Sequence, residues 1–339
     1  MTLSQIHGRT AGRVLAEARA LTEPVHRSVI DQLPTEIRHV AGYHSGWWNE
    51  DGQTCTATGK SIRPALAVTC ALAAGADRPD GVRAGVCAEL VHDFSLLHDD
   101  VMDGDLTRRH RSTSWALFGI GRAILVGDVL LTLAAEQAGA LPGGALRVVT
   151  DTALELCAGQ WSDLAFEERG QVTVEECLRM AEGKTGALLG AACQLGALAG
   201  GATPGQAEHY QAFGRNLGIA FQLVDDLLGI WGDPQITGKP AGADLAARKK
   251  SLPVVAALAS DTEAGQHLAF VYGRQDPYDD QWVAHVADLV EKAGGRTWAQ
   301  EEAERRLGTA FARLADASPS REGEADLRLL AGLITHRDH

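Results

Sequence analysis

Two short segments of the chain place several aspartates among the apolar residues of a helix. They are LLHDDVMDGD, with Asp99, Asp100 and Asp103, and LVDDLLGIWGD, with Asp225, Asp226 and Asp233. A carboxylate buried among apolar side chains must be paired, neutralised or bound to a cation. Oxygen ligands without accompanying Cys or His pairs favour Mg²⁺, which keeps waters and binds substrate phosphates. The two segments therefore predict carboxylate sites for Mg²⁺ and a phosphorylated ligand.

Helical spacing indicates which of these carboxylates act together. Residues four and seven apart share a helix face, so Asp99 and Asp103 lie on one face with His92, while Asp100 lies to the side. The second segment has a broader polar stripe, which comprises Gln222, Asp225, Asp226 and Asp233. The alternative is a pair of acidic helix faces in solvent. That alternative fits one such segment well, but it fits two segments beside ordered basic motifs poorly.

Basic residues accompany both segments. They are Lys60 and Arg63 in GKSIRP, Arg108 and Arg109 after the first segment, Lys184 with Thr185 in GKTG, and Lys239, Lys249 and Lys250 after the second segment. Lys and Arg bind phosphate directly, and a helix N-terminus offers unpaired N–H groups. Each pair alone is equally well an ordinary solvated charge, and GKTG lacks the full P-loop pattern. Together they predict direct phosphate contacts beside the metal sites.

Helices must position these residues, because the chain has few strand signals and long segments at helical spacing. We predict an all-α protein. Within 83–104, Cys87, Leu90, Val91, Phe94 and Leu97 follow a three/four rhythm, which indicates a helix deep in the core. Further helices are predicted near 10–32, 62–77, 115–140, 145–168, 173–200, 205–232, 250–260, 281–294 and 298–315.

Composition limits the function classes. The 339 residues are 45% hydrophobic, which is enough for a large core, and no linker forces a boundary, so we predict a single domain over 1–339. The net charge of −13 argues against broad binding to nucleic acid or anionic membranes. Six scattered cysteines indicate reduced, mostly buried thiols. The N-terminus lacks a signal-peptide core, and no apolar stretch is long enough for membrane insertion, so we expect a cytoplasmic protein.

The order of the motifs resembles that of the trans-isoprenyl diphosphate synthases, the polyprenyl synthetase family. The matching pieces are GKSIRP at 59, HDFSLLHDDVMD at 92, RR at 108, GDVLL at 127, GQWSD at 159, KT at 184, FQLVDD at 221 and GKPAGAD at 238. The match spans roughly residues 56–255. The resemblance implies an all-α fold around an active-site cavity, a homodimer, and condensation of isopentenyl diphosphate with an allylic diphosphate using three Mg²⁺ ions.

The resemblance also assigns roles to individual residues. Asp99 and Asp103 would hold two Mg²⁺ ions with Asp100 behind them, and Asp225 would hold the third, aided by Asp226. The allylic diphosphate would meet Arg108, Lys184 and Lys239, and isopentenyl diphosphate would meet Lys60, Arg63, His92 and Arg109. Phe221, Gln222, Phe94 and Thr185 would line the substrate's path. Asp99, Asp103, Asp225, Arg108 and Lys184 are therefore the predicted catalytic residues.

Three departures from the family pattern stand out. Gly229 occupies the place of a third aspartate in the second motif, which puts the hold on the third ion in question. RRHRST replaces the usual RRGxPT, and ARKKSLP replaces GKxTLP. We interpret all three as adjustments, without loss of activity.

Product length in this family depends on the bulk below the first aspartate motif. Ser95 and Ala88 lie near the Asp99 face and leave room for a growing chain, and Phe94 beside them would close it. This pattern resembles geranylgeranyl (C20) synthases, with farnesyl (C15) synthases next. Core packing explains Phe94 almost equally well.

Two other functions share these features. A class I terpene cyclase has the first motif, but it normally carries Asn-x-x-x-Ser-x-x-x-Glu, and neither Asn49 nor Asn216 starts that pattern. A non-catalytic subunit of a heteromeric synthase remains the other alternative. The nearly complete set of ligands favours an active prenyltransferase.

Overall fold

The computed structural model describes residues 8–55, 59, 61–233, 241–273 and 279–335. In these residues the chain is all-α apart from one two-stranded hairpin, as the sequence predicted. The α-helices of the first half are α1 (Ala11–Ile30), α2 (Thr35–His44), α3 (Ile62–Ala73), α4 (Val82–Met102), α5 (Ser114–Phe118), α6 (Ile120–Gly139) and α7 (Ala145–Glu168). Those that follow are α8 (Val174–Ala181), α9 (Ala187–Ala199), α10 (Pro204–Trp231), α11 (Ala243–Ala246), α12 (Leu252–Leu258), α13 (Glu263–Tyr272), α14 (Asp280–Lys292), α15 (Gly295–Asp316) and α16 (Arg321–Thr335).

The chain forms two compact units. The first contains the residues up to Leu154 together with Leu188–Gly214 and Arg313–Leu330. The second contains Glu155–Ala187, Arg215–Ala312 and the residues from Ala331. Asp99, Asp100 and Asp103 belong to the first unit, and Asp225 and Asp226 belong to the second. The single domain predicted from the sequence stays a prediction.

Helix α4 is the centre of the first unit and packs against α1, α3 and α6. The five apolar residues that predicted a buried helix are all at most 6% exposed, namely Cys87, Leu90, Val91, Phe94 and Leu97. Burial of their side chains holds α4 in place with roughly 1.5–3 kcal/mol for each large side chain. The first aspartate motif therefore stands at the end of a rigid helix.

An ion-pair cluster joins distant parts of the first unit. Asp326 in α16 is 0% exposed, and both Arg9 and Arg78 donate to its carboxylate, Arg78 at 2.6 Å. Arg9 also donates to Glu17 at 2.9 Å, and Arg78 donates to Glu322 at 3.1 Å. A buried carboxylate needs such partners, because leaving it unpaired costs several kcal/mol. The start of α1, the turn before α4 and α16 are thereby fixed to one another.

The hairpin follows the first aspartate motif directly. Strand β1 (Thr107–Arg108) pairs with β2 (Arg111–Ser112) in antiparallel register, with Arg108 opposite Arg111. Its two central residues, Arg109 and His110, have φ of 51° and 61°. Positive φ at both central residues is the pattern of a type I′ turn, which normally uses Asn and Gly. The chain therefore strains its backbone to present Arg109 at the tip.

The second unit is built around the C-terminal half of α10. Ile219 and Leu223 pack with Cys177 of α8, Leu252 of α12 and Ala299 of α15. Ile230, one turn beyond the aspartates, joins a second cluster with α11 to α14. This packing leaves the polar side of α10 for chemistry.

Some sequence predictions needed correction. Helix 115–140 is two helices, because Gly119 at φ 91° separates α5 from α6. Helix 173–200 is interrupted by a π-helical turn, Glu182–Gly186, which separates α8 from α9. Cys157 is exposed, whereas four of the six cysteines are buried as predicted. Among the described helices none is both long and apolar enough to cross a bilayer. The predicted cytoplasmic location stays a prediction.

Candidate active site on the two aspartate helices

The first aspartate region comprises Asp99, Asp100, Asp103 and the residues that contact them in the first unit. Asp103 follows the last residue of α4, and its N–H donates to the carbonyl of Asp99 at 2.8 Å, so the helical spacing continues through it. Asp99 is half-buried and Asp103 is exposed. These two carboxylates therefore share one accessible face, as the sequence predicted.

Asp100 points away from that face and has a different partner. Its carboxylate is almost fully buried and accepts a hydrogen bond from Arg108 Nε at 2.5 Å. Burial raises the pKa of Asp100, and Arg108 opposes that rise. Asp100 was predicted as an accessory metal ligand, and here it holds the arginine that the resemblance assigns to the allylic diphosphate.

Three further phosphate-binding candidates lie nearby in the first unit. The guanidinium of Arg109 lies against Gly59, where a Cβ would be 2.5 Å from Arg109 Nη1. Arg63 stands in the first turn of α3, and burial lowers its pKa to about 10, so it remains charged near neutrality. Burial lowers the pKa of His92 well below its usual value, with Arg63 and Arg109 adding to the shift. Lys60 lies outside the described residues.

Arg111 has a structural role that sequence reasoning missed. It donates to the carbonyls of Tyr43 at 3.1 Å and Trp48 at 2.9 Å, and its guanidinium stacks over the Tyr43 ring at 4.2 Å. Tyr43 in turn donates to the Ser112 carbonyl at 2.8 Å. The hairpin that carries Arg108 and Arg109 is therefore anchored to the end of α2. The extra arginine in RRHRST was the only signal in the sequence.

The second aspartate region comprises Asp225, Asp226 and the polar residues around them in the second unit. Thr185 donates to Gln222 at 2.9 Å, Gln222 donates to Asp226 at 2.8 Å, and the N–H of Leu252 donates to Asp226 at 2.9 Å. Asp226 is 3% exposed, while Asp225 is exposed. Gln222, which was predicted on the polar stripe of this helix, contacts both Thr185 and Asp226, and Phe221 precedes Gln222 on the same helix.

Lys184 lies in the π-helical turn and binds a carboxylate that was not predicted. Its Nζ donates to Asp163 of α7 at 2.5 Å. The turn can approach α7 because Gly159 faces it, where a Cβ would be 2.5 Å from the backbone nitrogen of Lys184. A π-turn inserts one residue into a helix and is frequent at functional sites. The motif GQWSD supplies both the glycine and the aspartate.

Gly229 has a structural explanation. A Cβ on Gly229 would lie 2.2 Å from Oδ2 of Asp244, so the Asp244 carboxylate lies directly on the glycine. Gly229 is one turn after Asp225 on α10. The Asp244 carboxylate of α11 therefore lies beside the position where the second motif lacks its third carboxylate. Asp244 is the aspartate of GKPAGAD, and its proximity to Gly229 was not predicted from the sequence.

Lys249 is the second cation of this region. Burial lowers its pKa, but the carboxylates of Asp226, Asp244, Asp163 and Asp225 outweigh burial and raise it. Burial raises the pKa of Asp226 to about 6, against the opposing effect of Lys249. Lys250 points elsewhere and donates to the carbonyl of Phe166. Lys239 lies outside the described residues.

Arg248 stands where the resembled motif GKxTLP has glycine, and its φ is 52°. His110 likewise stands where RRGxPT has glycine, at φ 61°. In both places the left-handed backbone is kept although the side chain makes it unfavourable by about 1–2 kcal/mol. These departures therefore change the side chain and leave a backbone geometry that favours glycine.

The donor sets of both regions are suitable for Mg²⁺. They consist of carboxylate oxygens, which Mg²⁺ prefers. Across the described residues no group of three or more His, Cys, Asp or Glu side chains is close enough to hold a metal ion by itself. Mg²⁺ usually keeps waters and completes its octahedron with substrate phosphates. The residues therefore fit an ion whose remaining ligands come from a bound diphosphate.

Comparison with known proteins gives one consistent result. The family model "Polyprenyl synthetase" matches residues 47–290. A (2E,6E)-farnesyl diphosphate synthase of Mycobacterium tuberculosis is 46% identical over 96% of this chain and 92% of its own. A geranylgeranyl diphosphate synthase of the same organism is 45% identical over 96% and 94%.

The crystal structure of a polyprenyl synthetase from Streptomyces coelicolor A3(2) has the same fold. It superposes with a TM-score of 0.91 at 43% identity, and the match covers 95% of this chain and 98% of that one. The range of the family model, 47–290, includes both aspartate motifs. The chain therefore belongs to the polyprenyl synthetase family of prenyltransferases.

Proposed function

We propose that this protein is a short-chain trans-isoprenyl diphosphate synthase that condenses isopentenyl diphosphate with allylic diphosphates and ends at geranylgeranyl diphosphate (C20). The observation that carries the proposal is that each aspartate motif stands, within its own unit, beside cations already held by carboxylates. Arg108 is held by Asp100 and Lys184 by Asp163. Such prepositioned charges are suited to a leaving diphosphate.

The reaction begins when the allylic C1–O bond breaks and the diphosphate leaves with the bonding electrons. Preorganised cations stabilise the charge that develops on the leaving group, and removing one such group typically costs 10²–10³-fold in rate. We assign this role to Arg108 and Lys184, and the assignment is supported by their carboxylate partners, which restrict their motion. Asp99 and Asp103 in the first unit, and Asp225 in the second, would hold Mg²⁺, which would supply further neutralisation of the leaving diphosphate, and we propose three ions.

The remaining steps need no protein nucleophile. The alkene of isopentenyl diphosphate attacks the allylic cation, a new C–C bond forms, and a proton is lost to the departed pyrophosphate. The walls must exclude water and basic groups, because either would capture the cation. Thr185 is occupied by its bond to Gln222, and Phe221 can stabilise the cation through its ring face.

We propose that Phe94 limits product length. It is 6% exposed and contacts the His98 ring edge-to-face at 4.9 Å, and His98 is fixed by the carbonyl of Ile124 at 3.0 Å. Ala88 is fully buried, and Ser95 Oγ donates to the His92 carbonyl at 2.8 Å. A ring held this firmly is a suitable stop for a growing chain. Relatives that make C15 and C20 products are almost equally similar, so C15 is the alternative.

The test is to incubate the protein with Mg²⁺, isopentenyl diphosphate and, separately, the C5, C10 and C15 allylic diphosphates, and to identify the dephosphorylated products by mass. A ladder ending at C20 supports the proposal, and Phe94→Ala should then extend it. A ladder ending at C15 favours the farnesyl alternative. Cyclic hydrocarbon formed without consumption of isopentenyl diphosphate, or no turnover with any primer, contradicts the proposal and favours a cyclase or a non-catalytic subunit.

We also propose a homodimer. Helix α6 exposes Ile120, Ile124 and Leu125 at 52%, 39% and 63%, and α7 exposes Leu154 and Trp161 at 70% and 76%. Apolar faces of this kind on a protein normally mark an association surface. Light scattering should give twice the chain mass of 35.9 kDa. Leu125→Glu should shift the protein to monomer, whereas a monomeric wild type contradicts the proposal.

A further inference from the structure

Helix α4 carries a second acidic face that the proposed reaction does not use. Glu89, Asp93 and Asp100 lie four and seven residues apart, so they share one side of the helix, about 80° from the face of His92, Asp99 and Asp103. Asp100 already holds Arg108. Glu89 and Asp93 lie two to three turns deeper and have no role in the chemistry described above.

These two acids line a small cavity together with Arg109, one of the isopentenyl diphosphate candidates. Its volume is about 40 Å³, and its walls include Glu89, Asp93, Arg109, Gly59 and Ser61. Gly59 and Ser61 flank Lys60 in the sequence. The cavity is polar and large enough for roughly two or three waters. Glu89 and Asp93 therefore share this cavity with Gly59, Ser61 and Arg109, and Arg109 is the residue expected to contact the diphosphate.

Buried polar atoms around this cavity lack partners in the described part of the chain. They are Glu89 Oε2 and His26 Nε2, whose side chains line the cavity, and Nε of Arg63, which interacts electrostatically with Glu89. A buried donor or acceptor without a partner costs about 1–3 kcal/mol, so each is a point where a ligand or a bridging water binds favourably. Arg63 and Glu89 are of opposite charge and each affects the pKa of the other. The buried carboxylate of Glu89 therefore acts as a counter-charge for Arg63.

Asp93 is the most enclosed member of the cluster. Ser45 Oγ donates to Asp93 Oδ2 at 3.2 Å. His26 Nε2 of α1 lies 3.9 Å from Oδ2, and His44 Nε2 of α2 lies 3.8 Å from Oδ1. Among the charged groups, Glu89 raises its pKa and Arg109 and Arg63 lower it. Arg19 and Glu23 of α1 line the same cavity.

The protonation states follow from this enclosure. Burial, reinforced by Glu89, raises the pKa of Asp93 to about 8. Burial lowers the pKa of His26 to about 4 and that of His44 to about 3, so both rings are neutral near pH 7. Asp93 therefore carries a proton at neutral pH and loses it in mildly alkaline solution. The arginines then face one more negative charge.

We propose that Glu89 and Asp93 are positioning residues for Arg63 and Arg109, and that isopentenyl diphosphate binds most tightly when Asp93 carries its proton. The inference rests on the proposed function, because it takes the substrate of that reaction as the ligand. Glu89 holds the arginines in place as a counter-charge. Ionised Asp93 repels the incoming diphosphate, and one charge about 10 Å away at an effective dielectric constant of about 20 weakens binding roughly tenfold.

The first experiment is calorimetric titration of the protein with isopentenyl diphosphate at pH 8.5 in two buffers of different ionisation enthalpy. Binding that favours protonated Asp93 should take up a substantial fraction of one proton, since ligand binding and proton binding are linked. Some proton uptake comes from the ionising diphosphate of the ligand itself. The wild type should take up more protons than this, and Asp93→Asn should abolish that excess. Equal uptake by both proteins would overturn the inference. This measurement requires no turnover.

The second experiment follows KM for each substrate between pH 6.5 and 9.5. For the wild type, KM for isopentenyl diphosphate should rise up to about tenfold across pH 8, relative to KM for the allylic diphosphate, which carries the same ionising group. Asp93→Asn should remove this rise. A wild type without turnover contradicts the proposed function, whereas turnover with identical pH profiles contradicts this inference only.

Two milder variants should shift the pH at which KM for isopentenyl diphosphate rises, in opposite directions. Ser45→Ala removes a hydrogen bond that lowers the pKa of Asp93, so the rise in KM should move to higher pH. Glu89→Gln removes the nearby negative charge that raises the pKa, so the rise should move to lower pH. Glu136→Gln, an exposed control on α6, should leave it unchanged. Shifts in the same direction for Ser45→Ala and Glu89→Gln would contradict the assignment to Asp93.

Discussion

The two aspartate regions hold their carboxylates by different means. In the first region the buried acid, Asp100, is bound by the charged Arg108 at 2.5 Å. In the second, the buried acid, Asp226, is bound by the amide of Gln222 and the N–H of Leu252, while Lys249 acts on it electrostatically. A buried charge needs hydrogen bonds in either case. In the first region the buried acid itself holds a cation, whereas in the second region neutral donors hold Asp226 and a different carboxylate, Asp163, holds Lys184.

The largest expected effect is loss of the exposed carboxylates. Asp99→Ala and Asp225→Ala should each lower kcat/KM about 10³-fold, because each removes a ligand of the cation that neutralises the leaving group. Asp100→Asn should have a smaller effect, expressed mainly as a higher KM for the allylic diphosphate. Steady-state kinetics with both substrates checks this. Equal losses for Asp99→Ala and Asp100→Asn would erase the distinction between the two faces of α4.

Ligand binding should stabilise both regions together. With Mg²⁺ and pyrophosphate each at about 100 times their dissociation constants, the free energy of unfolding should rise by about 2.7 kcal/mol for the complex. Mg²⁺ alone should give much less, because the described residues leave most of its ligands to phosphate and water. Thermal melts of the wild type and of Asp225→Ala, each with and without Mg²⁺ and pyrophosphate, measure how much of this stabilisation depends on Asp225. No increase at millimolar concentrations would count against the metal site.

Gly229→Ala tests the second region alone. The added Cβ would lie 2.2 Å from Asp244 Oδ2, so the carboxylate must move, and we expect a loss of about 1–3 kcal/mol in stability. Gly308 on α15 is a matched control, because a Cβ there meets nothing within 4 Å. Gly308→Ala should stabilise by about 0.5–1 kcal/mol. Denaturant unfolding of both variants measures the contrast, and equal effects would mean that Asp244 is not held against Gly229.

Sensitivity to acid should belong to the first region. Burial holds His44 neutral with a pKa of about 3, so the folded state resists the charge that the unfolded state gains below about pH 6.5. The stability of the wild type relative to His44→Asn should therefore fall by roughly 1.4 kcal/mol per pH unit below 6.5. Urea titrations at pH 7 and 5.5 give the difference. A difference independent of pH would place His44 in contact with solvent.

The smallest expected effect concerns a feature common to both regions. His110→Gly should stabilise the protein by about 1 kcal/mol, since glycine adopts φ 61° without strain. Arg248→Gly should gain less, because Arg248 also donates to the Tyr272 carbonyl at 3.3 Å. Melting temperatures of both variants give the comparison. Thr107→Gly, in strand β1, should destabilise, and a similar gain there would show that backbone strain is not the cause.

Periodicity and motif order were sufficient to predict much of this molecule. The burial of α4 followed from five apolar residues at helical spacing, and the shared face of Asp99 and Asp103 followed from their spacing of four. Both are regular local patterns that a sequence displays directly. Helices α2, α11, α13 and α16 were missed. Helix α11 has only four residues, and α16 begins with the polar sequence REGEAD, which resembles a loop.

Contacts between segments that are distant in the sequence could not be predicted in this way. Nothing in the spacing of Gly229 and Asp244 indicates that one leaves room for the other, since only the fold brings α11 onto α10. The same holds for His26, His44 and Asp93, which come from three helices. A side chain's partner in a core depends on packing, which single-sequence patterns do not encode.

The carboxylate of Asp326 has a practical consequence for anyone who shortens the protein. Its two arginine partners, Arg9 and Arg78, lie more than 240 residues away from it. Deleting the residues before α1 removes one partner. Deleting α16 removes both Asp326 and Glu322, so Arg78 loses two carboxylate partners and Arg9 keeps only Glu17 of the two carboxylates to which it donates. Trimming at either side should therefore lower solubility and expression well before it reaches the aspartate helices, and fusion tags belong beyond Arg9 and Asp326.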